Sequence, residues 1–216
     1  MKPLDQCRLY TFVDTAYLHL REPTEVAWEL CEGGSDIIQL RAKYGPAAYA
    51  KDARQEHEYF VGQIHNVTKR HDVPLVINDW PVLADSTGAE FCHLGQEDYF
   101  DAKIRPGKVP FGLSTHSPLQ AQRALAEKPS YIAIGPVYAT GTKPDAKPVG
   151  LEYVRWAAAN VKIPWFAIGG ITLENVDDVI AAGARRICVV SAILNAPSVR
   201  EACLAFAERI RSAPLN

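Results

Sequence analysis

Gln39, Arg41 and Lys43, in the segment QLRAK, are the first residues whose types and spacing could do chemistry together. In an extended backbone side chains alternate with a period of two, so all three share one side. One amide and two cations facing one space form a grip for a dianionic or trianionic group. Solvated charges at a strand end are the plainer alternative, and Lys43 taken alone fits it equally well. Asn78-Asp79 and the run Gly95-Gln96-Glu97-Asp98 then add carboxylates. Oxygen donors of this kind, used sparingly and without His or Cys, suit Mg²⁺ held jointly with substrate phosphates. Capping a helix is the commoner use of Asp at such a point.

Further along stands Ser114-Thr115-His116-Ser117. Serine beside histidine suggests a nucleophile, but no GxSxG elbow is present and no third orienting group is visible. Ser114 reads better as a hydroxyl donor to a substrate, and Ser117 as a helix cap. His93 sits in an apolar run and, without an evident partner, reads as packing. The stretch GPVYATGTKPDAKPVG, residues 135 to 150, places Thr140 and Thr142 two apart with Lys143 next. A Pro/Gly-rich loop carrying two hydroxyls and a cation reads as a lid over a phosphate or pyrophosphate, with a surface connection as the default alternative. Gly169-Gly170 and Val190-Ser191 complete the set. Paired glycines let backbone N–H groups approach an anion closely, although a tight turn needs them too.

These residues follow short apolar runs, and the runs are the elements that must position them. The runs are Leu9–Val13, Ile37–Arg41, Pro74–Asn78, Phe91–Leu94, Val109–Ser114, Tyr131–Val137, Pro164–Ile168 and Ile187–Val190, eight in all. Continuous apolar strands are what a parallel sheet buried on both faces requires. Helical stretches separate them: one after Pro23 with Thr24 as a candidate cap and Gly33-Gly34 as its stop, then Ala47–Arg70, and others opening at Pro118, Thr172 and Ser198. Between Gly95 and Val109 the pattern is poor, and a truncated or 3₁₀ element is expected. Strand–helix alternation repeated eight times in 216 residues, with no GxGxxG after the first strand, predicts an α/β fold, a single (β/α)8 TIM barrel forming one domain over 1–216. In such a barrel the residues after each strand share one rim, and the loops after strands seven and eight recurrently bind phosphate. Two anion sites follow: a larger, metal-assisted one on strands two to six, and a backbone-built one on strands seven and eight.

Composition excludes several other classes. A formal net charge of −2 with scattered Lys and Arg gives no footprint for nucleic acid. No apolar run approaches the roughly 20 residues that cross a bilayer, and the start MKPLDQCRLYTFVD lacks the apolar stretch of a secretory signal. The cysteines, at 7, 31, 92, 188 and 203, are odd in number and lack ligand-like spacing, so they read as reduced thiols. The expectation is a cytoplasmic enzyme with two phosphorylated small-molecule substrates and no nucleic-acid or membrane partner; a homo-oligomer stays open.

The chain resembles the thiamine phosphate synthase family from about Gly33 to the last helix. The motifs are GGSDIIQLRAK, VINDWPVLADSTGAEFCHLGQED, FGLSTHS, YIAIGPVYATGTKPDAKPVGL, FAIGGIT and VVSAI, in family order, of which HLGQED and GPVYATGTK are the most specific. The resemblance implies that an aminopyrimidine bearing a methyl diphosphate is joined to a hydroxyethylthiazole phosphate, with loss of pyrophosphate. It implies Gln39, Arg41, Lys43, Asn78, Ser114 and Lys143 as ligands of the pyrimidine diphosphate, and Asp79 and Asp98 as ligands of Mg²⁺. Thr140, Thr142, Gly170 and the Val190-Ser191 pair would hold the thiazole phosphate. The implied chemistry is dissociation of pyrophosphate followed by capture of the pyrimidine carbocation by the thiazole nitrogen, with no general base assigned. The sequence departs from the family pattern at Ala42, usually acidic, and in the thin helix after the fourth strand. A thiazole tautomerase and a silent thiamine-phosphate sensor are the competing readings; neither has use for the aspartates and the Thr-x-Thr-Lys loop together.

Overall fold

Strands that are apolar on both faces need cover on both, and a closed barrel wrapped by helices supplies it. The computed structural model describes residues 1–42, 53–142 and 146–214, without the side chains of 53–56. Its strands are β1 (Leu9–Asp14), β2 (Ile37–Arg41), β3 (Leu75–Asn78), β4 (Phe91–Leu94), β5 (Phe111–Thr115), β6 (Tyr131–Ile134), β7 (Trp165–Ile168) and β8 (Ile187–Cys188). All pair in parallel and in sequence order, and β8 closes on β1, so the expected (β/α)8 barrel is the fold observed.

Among the described residues the helices are α1 (Pro23–Glu32), α2 (Ala53–Arg70), α3 (Pro81–Thr87), α4 (Pro118–Ala126), α5 (Gly150–Asn160), α6 (Val176–Ala181), α7 (Ser191–Leu194) and α8 (Val199–Ser212). Helix α1 buries Val26, Ala27, Leu30 and Cys31, one face of a 3.6-residue repeat, and stops at Gly33. Thr24 does not cap it. Pro23 already opens the helix, because a fixed φ and a missing N–H suit the first position, so the cap position falls to Glu22 without a side-chain bond. Ser117 and Ser198 do cap, accepting from Gln120 N–H and Glu201 N–H at 3.2 Å each. The stretch opened at Thr172 turns helical only after Asn175, whose side-chain oxygen accepts from Thr172 N–H at 2.8 Å. Between Gly95 and Val109 the thin element is a π-helical turn, Glu97–Asp101, and not a 3₁₀ one. The part of the second helical stretch before residue 53 lies outside the described residues.

Strand β6 ends at Ile134, three residues short of the expectation, because Pro136 has no N–H to donate to a ladder. The N–H groups of Val137 and Tyr138 nevertheless donate to the carbonyls of Ile168 and Gly169, at 2.8 and 3.0 Å. The chain thus follows β7 to the rim before it turns away. Aromatic rings fill the barrel interior: Tyr10 packs edge-on against Phe166 at 5.2 Å and Tyr131 at 5.9 Å, with Tyr131 5.6 Å from Phe166. They form a floor, and functional groups collect above it.

Candidate active site

Every strand delivers residues to its carboxyl end, and these ends surround a cavity of about 780 Å³ counting its open mouth. The lining includes Gln39, Arg41, Asn78, Ser114, Thr140, Thr142, Gly170, Val190 and Ser191, residues drawn from positions as far apart as 39 and 191. Lys43 and Lys143 lie outside the described residues. Asp79 and Asp98 are not among the lining residues. Ala42 stands with Leu40 and Ile77 in an apolar recess, on the side of β2 away from Gln39.

On the wall from β1 to β5, side chains hold side chains. Parallel pairing sets Asp14 beside Arg41, and Arg41 Nη1 donates to Asp14 Oδ2 at 2.7 Å. Asp14 is completely buried and its other oxygen accepts from Ala16 N–H at 3.0 Å, so the carboxylate is fixed at both ends. It fixes the plane of the guanidinium in turn, whose remaining N–H groups form a planar fork suited to an oxyanion. The same pairing sets Asn78 beside His93. Asn78 Nδ2 donates to Asp79 Oδ2 at 2.6 Å, and the Asp79 N–H donates to the His93 carbonyl at 2.9 Å. Asp79 takes φ +63°, which turns the chain sharply at the end of β3. Asp98 Oδ2 accepts from Gly95 N–H at 3.3 Å, and Gln96 Nε2 donates to the Ser114 carbonyl at 2.7 Å, tying the turn after β4 to β5.

A divalent cation fits this donor set in a limited way. Among the described residues no three His, Cys, Asp or Glu side chains are grouped to hold a metal. Asp79 and Asp98 nevertheless follow paired strands, β3 and β4, and offer hard oxygen donors only. Two carboxylates and no cage is the donor count of Mg²⁺ that takes its other ligands from water and phosphate.

On the wall from β6 to β8 the material is backbone. Gly169 and Gly170 have φ of +103° and +63°, and a Cβ on Gly170 would lie 2.5 Å from the Ala139 carbonyl. Only glycine fits both requirements there. Asn175 fastens the turn by donating from Nδ2 to the Gly170 carbonyl at 2.9 Å. Across the mouth the Thr142 N–H donates to Thr140 Oγ1 at 3.3 Å, and the Tyr17 and Thr142 hydroxyls are 3.1 Å apart. Val190 and Ser191 enter the wall at the start of α7.

Two residues of this architecture escaped the sequence reading. Asp14 was missed because the first strand was expected to stop at Val13, so the residue at its rim went unread. His93 is not mere packing: it lines the cavity, its Nε2 is 2.9 Å from Ser114 Oγ and its Nδ1 3.0 Å from the Tyr131 hydroxyl. A histidine at period two from Phe91, on a strand otherwise buried, was the available signal. The partner of Ser114 is thus His93 and not the neighbouring His116, whose Nδ1 meets the Gly135 carbonyl. Behind His93 stands a phenol that burial pushes well above its usual range. A neutral phenol cannot stabilise an imidazolium as a buried carboxylate does, so the pair lacks the third member of a nucleophilic triad. Cys188, also in the wall, is held as a thiol by burial, which pushes its pKa well up.

Comparison with known proteins agrees with this architecture. The family model for thiamine monophosphate synthase matches residues 9–193. A thiamine-phosphate synthase of Thermus thermophilus is 45% identical over 82% of this chain and 84% of its own. One from Mycolicibacterium gilvum is 39% identical over 97% of this chain and 90% of its own. Among solved structures, a thiamine phosphate pyrophosphorylase from Pyrococcus furiosus superposes with a TM-score of 0.83 at 28% identity, covering 97% of this chain and 98% of that one.

Proposed function

The chain belongs to the thiamine monophosphate synthase family, and from that premise we infer that it makes thiamine phosphate. An aminopyrimidine carrying a methyl diphosphate loses pyrophosphate, and the ring nitrogen of hydroxyethylthiazole phosphate takes the freed methylene carbon. The C–O bond to the diphosphate breaks with its electron pair on the departing oxygen. The nitrogen lone pair then forms the new C–N bond, so no external proton or oxidant is needed. The observation that carries this reading is one cavity with a polar side-chain wall facing a glycine-and-backbone wall, since joining two phosphorylated substrates calls for two anion sites side by side.

Arg41, fixed by Asp14, would hold the diphosphate, with Lys43 and Lys143 added from the segments outside the described residues. Asn78, Gln39 and Ser114 would orient the pyrimidine over the aromatic floor. Asp79 and Asp98 would hold Mg²⁺, which supplies neutralisation of charge on the leaving diphosphate. Gly170, Val190 and Ser191, with the hydroxyls of Thr140 and Thr142, would seat the thiazole phosphate. The enclosing wall excludes water, the competing nucleophile for a carbocation. The rate gain on this scheme comes from leaving-group stabilisation and alignment, and no general base is required. Five cysteines, all free and buried, support a cytoplasmic setting, and no helix among the described residues is long and apolar enough to cross a membrane.

The direct test mixes purified protein with both phosphorylated halves and Mg²⁺ and follows thiamine phosphate and pyrophosphate. Equal amounts of both products, abolished by EDTA, are expected. No product with or without EDTA would sink the reading.

A further inference from the structure

Beneath the cavity a continuous hydrogen-bond chain crosses the barrel. Gln39 Nε2 donates to the Tyr10 hydroxyl at 2.6 Å, and the hydroxyls of Tyr10 and Tyr131 are 2.9 Å apart. The Tyr131 hydroxyl lies 3.0 Å from His93 Nδ1, and His93 Nε2 lies 2.9 Å from Ser114 Oγ. The chain therefore starts on one cavity-lining side chain, on β2, and ends on another, on β5. Its three inner members are buried, and room for the Tyr131 ring exists only because residue 112 is glycine: a Cβ there would sit 2.1 Å from the ring.

Such a chain has two self-consistent proton orders, because each hydroxyl and a neutral imidazole carry one proton apiece. If Gln39 Nε2 donates, Tyr10 must donate to Tyr131, Tyr131 to His93 Nδ1, and His93 Nε2–H to Ser114. In the opposite order Ser114 donates to His93 and the chain ends on the Gln39 carbonyl. Burial above all keeps both phenols protonated, so neither leaves the order by ionising. The two orders present opposite faces to a ligand. With Nε2 of Gln39 on Tyr10, no described residue donates to Gln39 Oε1.

We propose that the chain runs from Gln39 to Ser114, fixing His93 as its Nε2–H tautomer. Ser114 then keeps its own proton for the cavity, and Gln39 offers its carbonyl there. A donor on one wall and an acceptor on the other fit a planar heterocycle that carries both an accepting ring nitrogen and a donating amino group. For the identity of that ring the proposal rests on the synthase reading, but the proton order does not. Tyr10, Tyr131 and His93 are positioning residues that act through Gln39 and Ser114.

Nitrogen-15 NMR of histidine-labelled protein, with the His93 signal assigned by its loss in His93→Gln, reads the tautomer directly. A proton on Nε2 is expected in the wild type, and averaging between tautomers in Tyr131→Phe, which keeps the ring but removes the relay. A proton on Nδ1, or on both nitrogens, overturns the proposal. This readout needs no turnover, so failure of the synthase assay and failure of the relay are separate results. In the kinetic arm Tyr131→Phe should raise KM for the aminopyrimidine diphosphate about tenfold, the loss of roughly one well-made hydrogen bond, and leave KM for the thiazole phosphate unchanged. In a Ser114→Ala background the same change should add nothing. Equal effects on both KM values, or full additivity with Ser114→Ala, would show a merely structural role.

Discussion

From β1 to β5 the cavity wall is side chains braced by other side chains, whereas from β6 to β8 it is backbone made accessible by the absence of side chains. Arg41 is held by the buried Asp14, Asn78 by Asp79, and Ser114 by His93. Across the cavity Gly170 leaves no room for a Cβ, and Asn175 pins its carbonyl. The first wall can supply charge and direction; the second can supply N–H groups at close range with little charge. A reaction that expels a diphosphate from one substrate while only holding a phosphate on the other needs that asymmetry. The leaving group changes its charge distribution in the transition state, and the held phosphate does not.

The comparison breaks most easily at Arg41. Arg41→Ala leaves the buried Asp14 carboxylate unpaired, which should cost about 3–5 kcal/mol of stability and most of the activity; urea unfolding and kcat/KM read both. Asp98→Ala should lower kcat on the order of 10²-fold with an unchanged unfolding midpoint, the size expected when stabilisation of a developing anion is lost. Full activity in that variant would remove Asp98 from the metal assignment. A smaller effect is expected on the opposite wall. Gly170→Ala forces a residue with a Cβ to φ +63°, worth about 1–2 kcal/mol, and should raise KM for the thiazole phosphate while sparing that for the pyrimidine substrate.

The smallest effect on activity is expected at the other end of the barrel, at Asp36. Burial alone would push this carboxyl up, but Lys2, the N–H groups of Leu9 and Arg8, and Arg211 outweigh it and hold the group below the usual carboxylate range. A depressed folded value means that the stabilisation is complete above the unfolded pKa near 4 and is lost as pH falls through the folded one. Asp36→Asn should therefore lower stability at neutral pH and flatten the acid limb of the unfolding midpoint, with both KM values unchanged. A change in either KM would mean that the two ends of the barrel are coupled.

Much of the fold was legible because its signal is local. An apolar run of four to six residues bounded by turn residues is buried on both faces wherever it ends up, and eight of them fit one closed sheet. Errors fell where backbone hydrogen bonding overrides composition: Pro136 ends β6 early, Pro23 displaces the Thr24 cap, and a π-helical turn replaces the expected 3₁₀ element. The rim residues were legible for a related reason. In a parallel barrel every strand points the same way, so whatever follows a strand faces the same space. That rule gathered residues from 39 to 191 without any knowledge of distances.

By itself the sequence determined the barrel, the rim and the inventory of polar groups upon it, since each depends on the order and periodicity of residues along a chain. Tertiary structure alone decided which group braces which. Asp14 meets Arg41 because β1 and β2 pair in one register, and a slip of one residue would turn every side chain to the opposite face. His93 reaches both Ser114 and Tyr131 only because β4, β5 and β6 curve around a common interior that Gly112 leaves open. Such contacts join residues 21 to 38 positions apart, and no spacing rule along one strand or helix spans that interval.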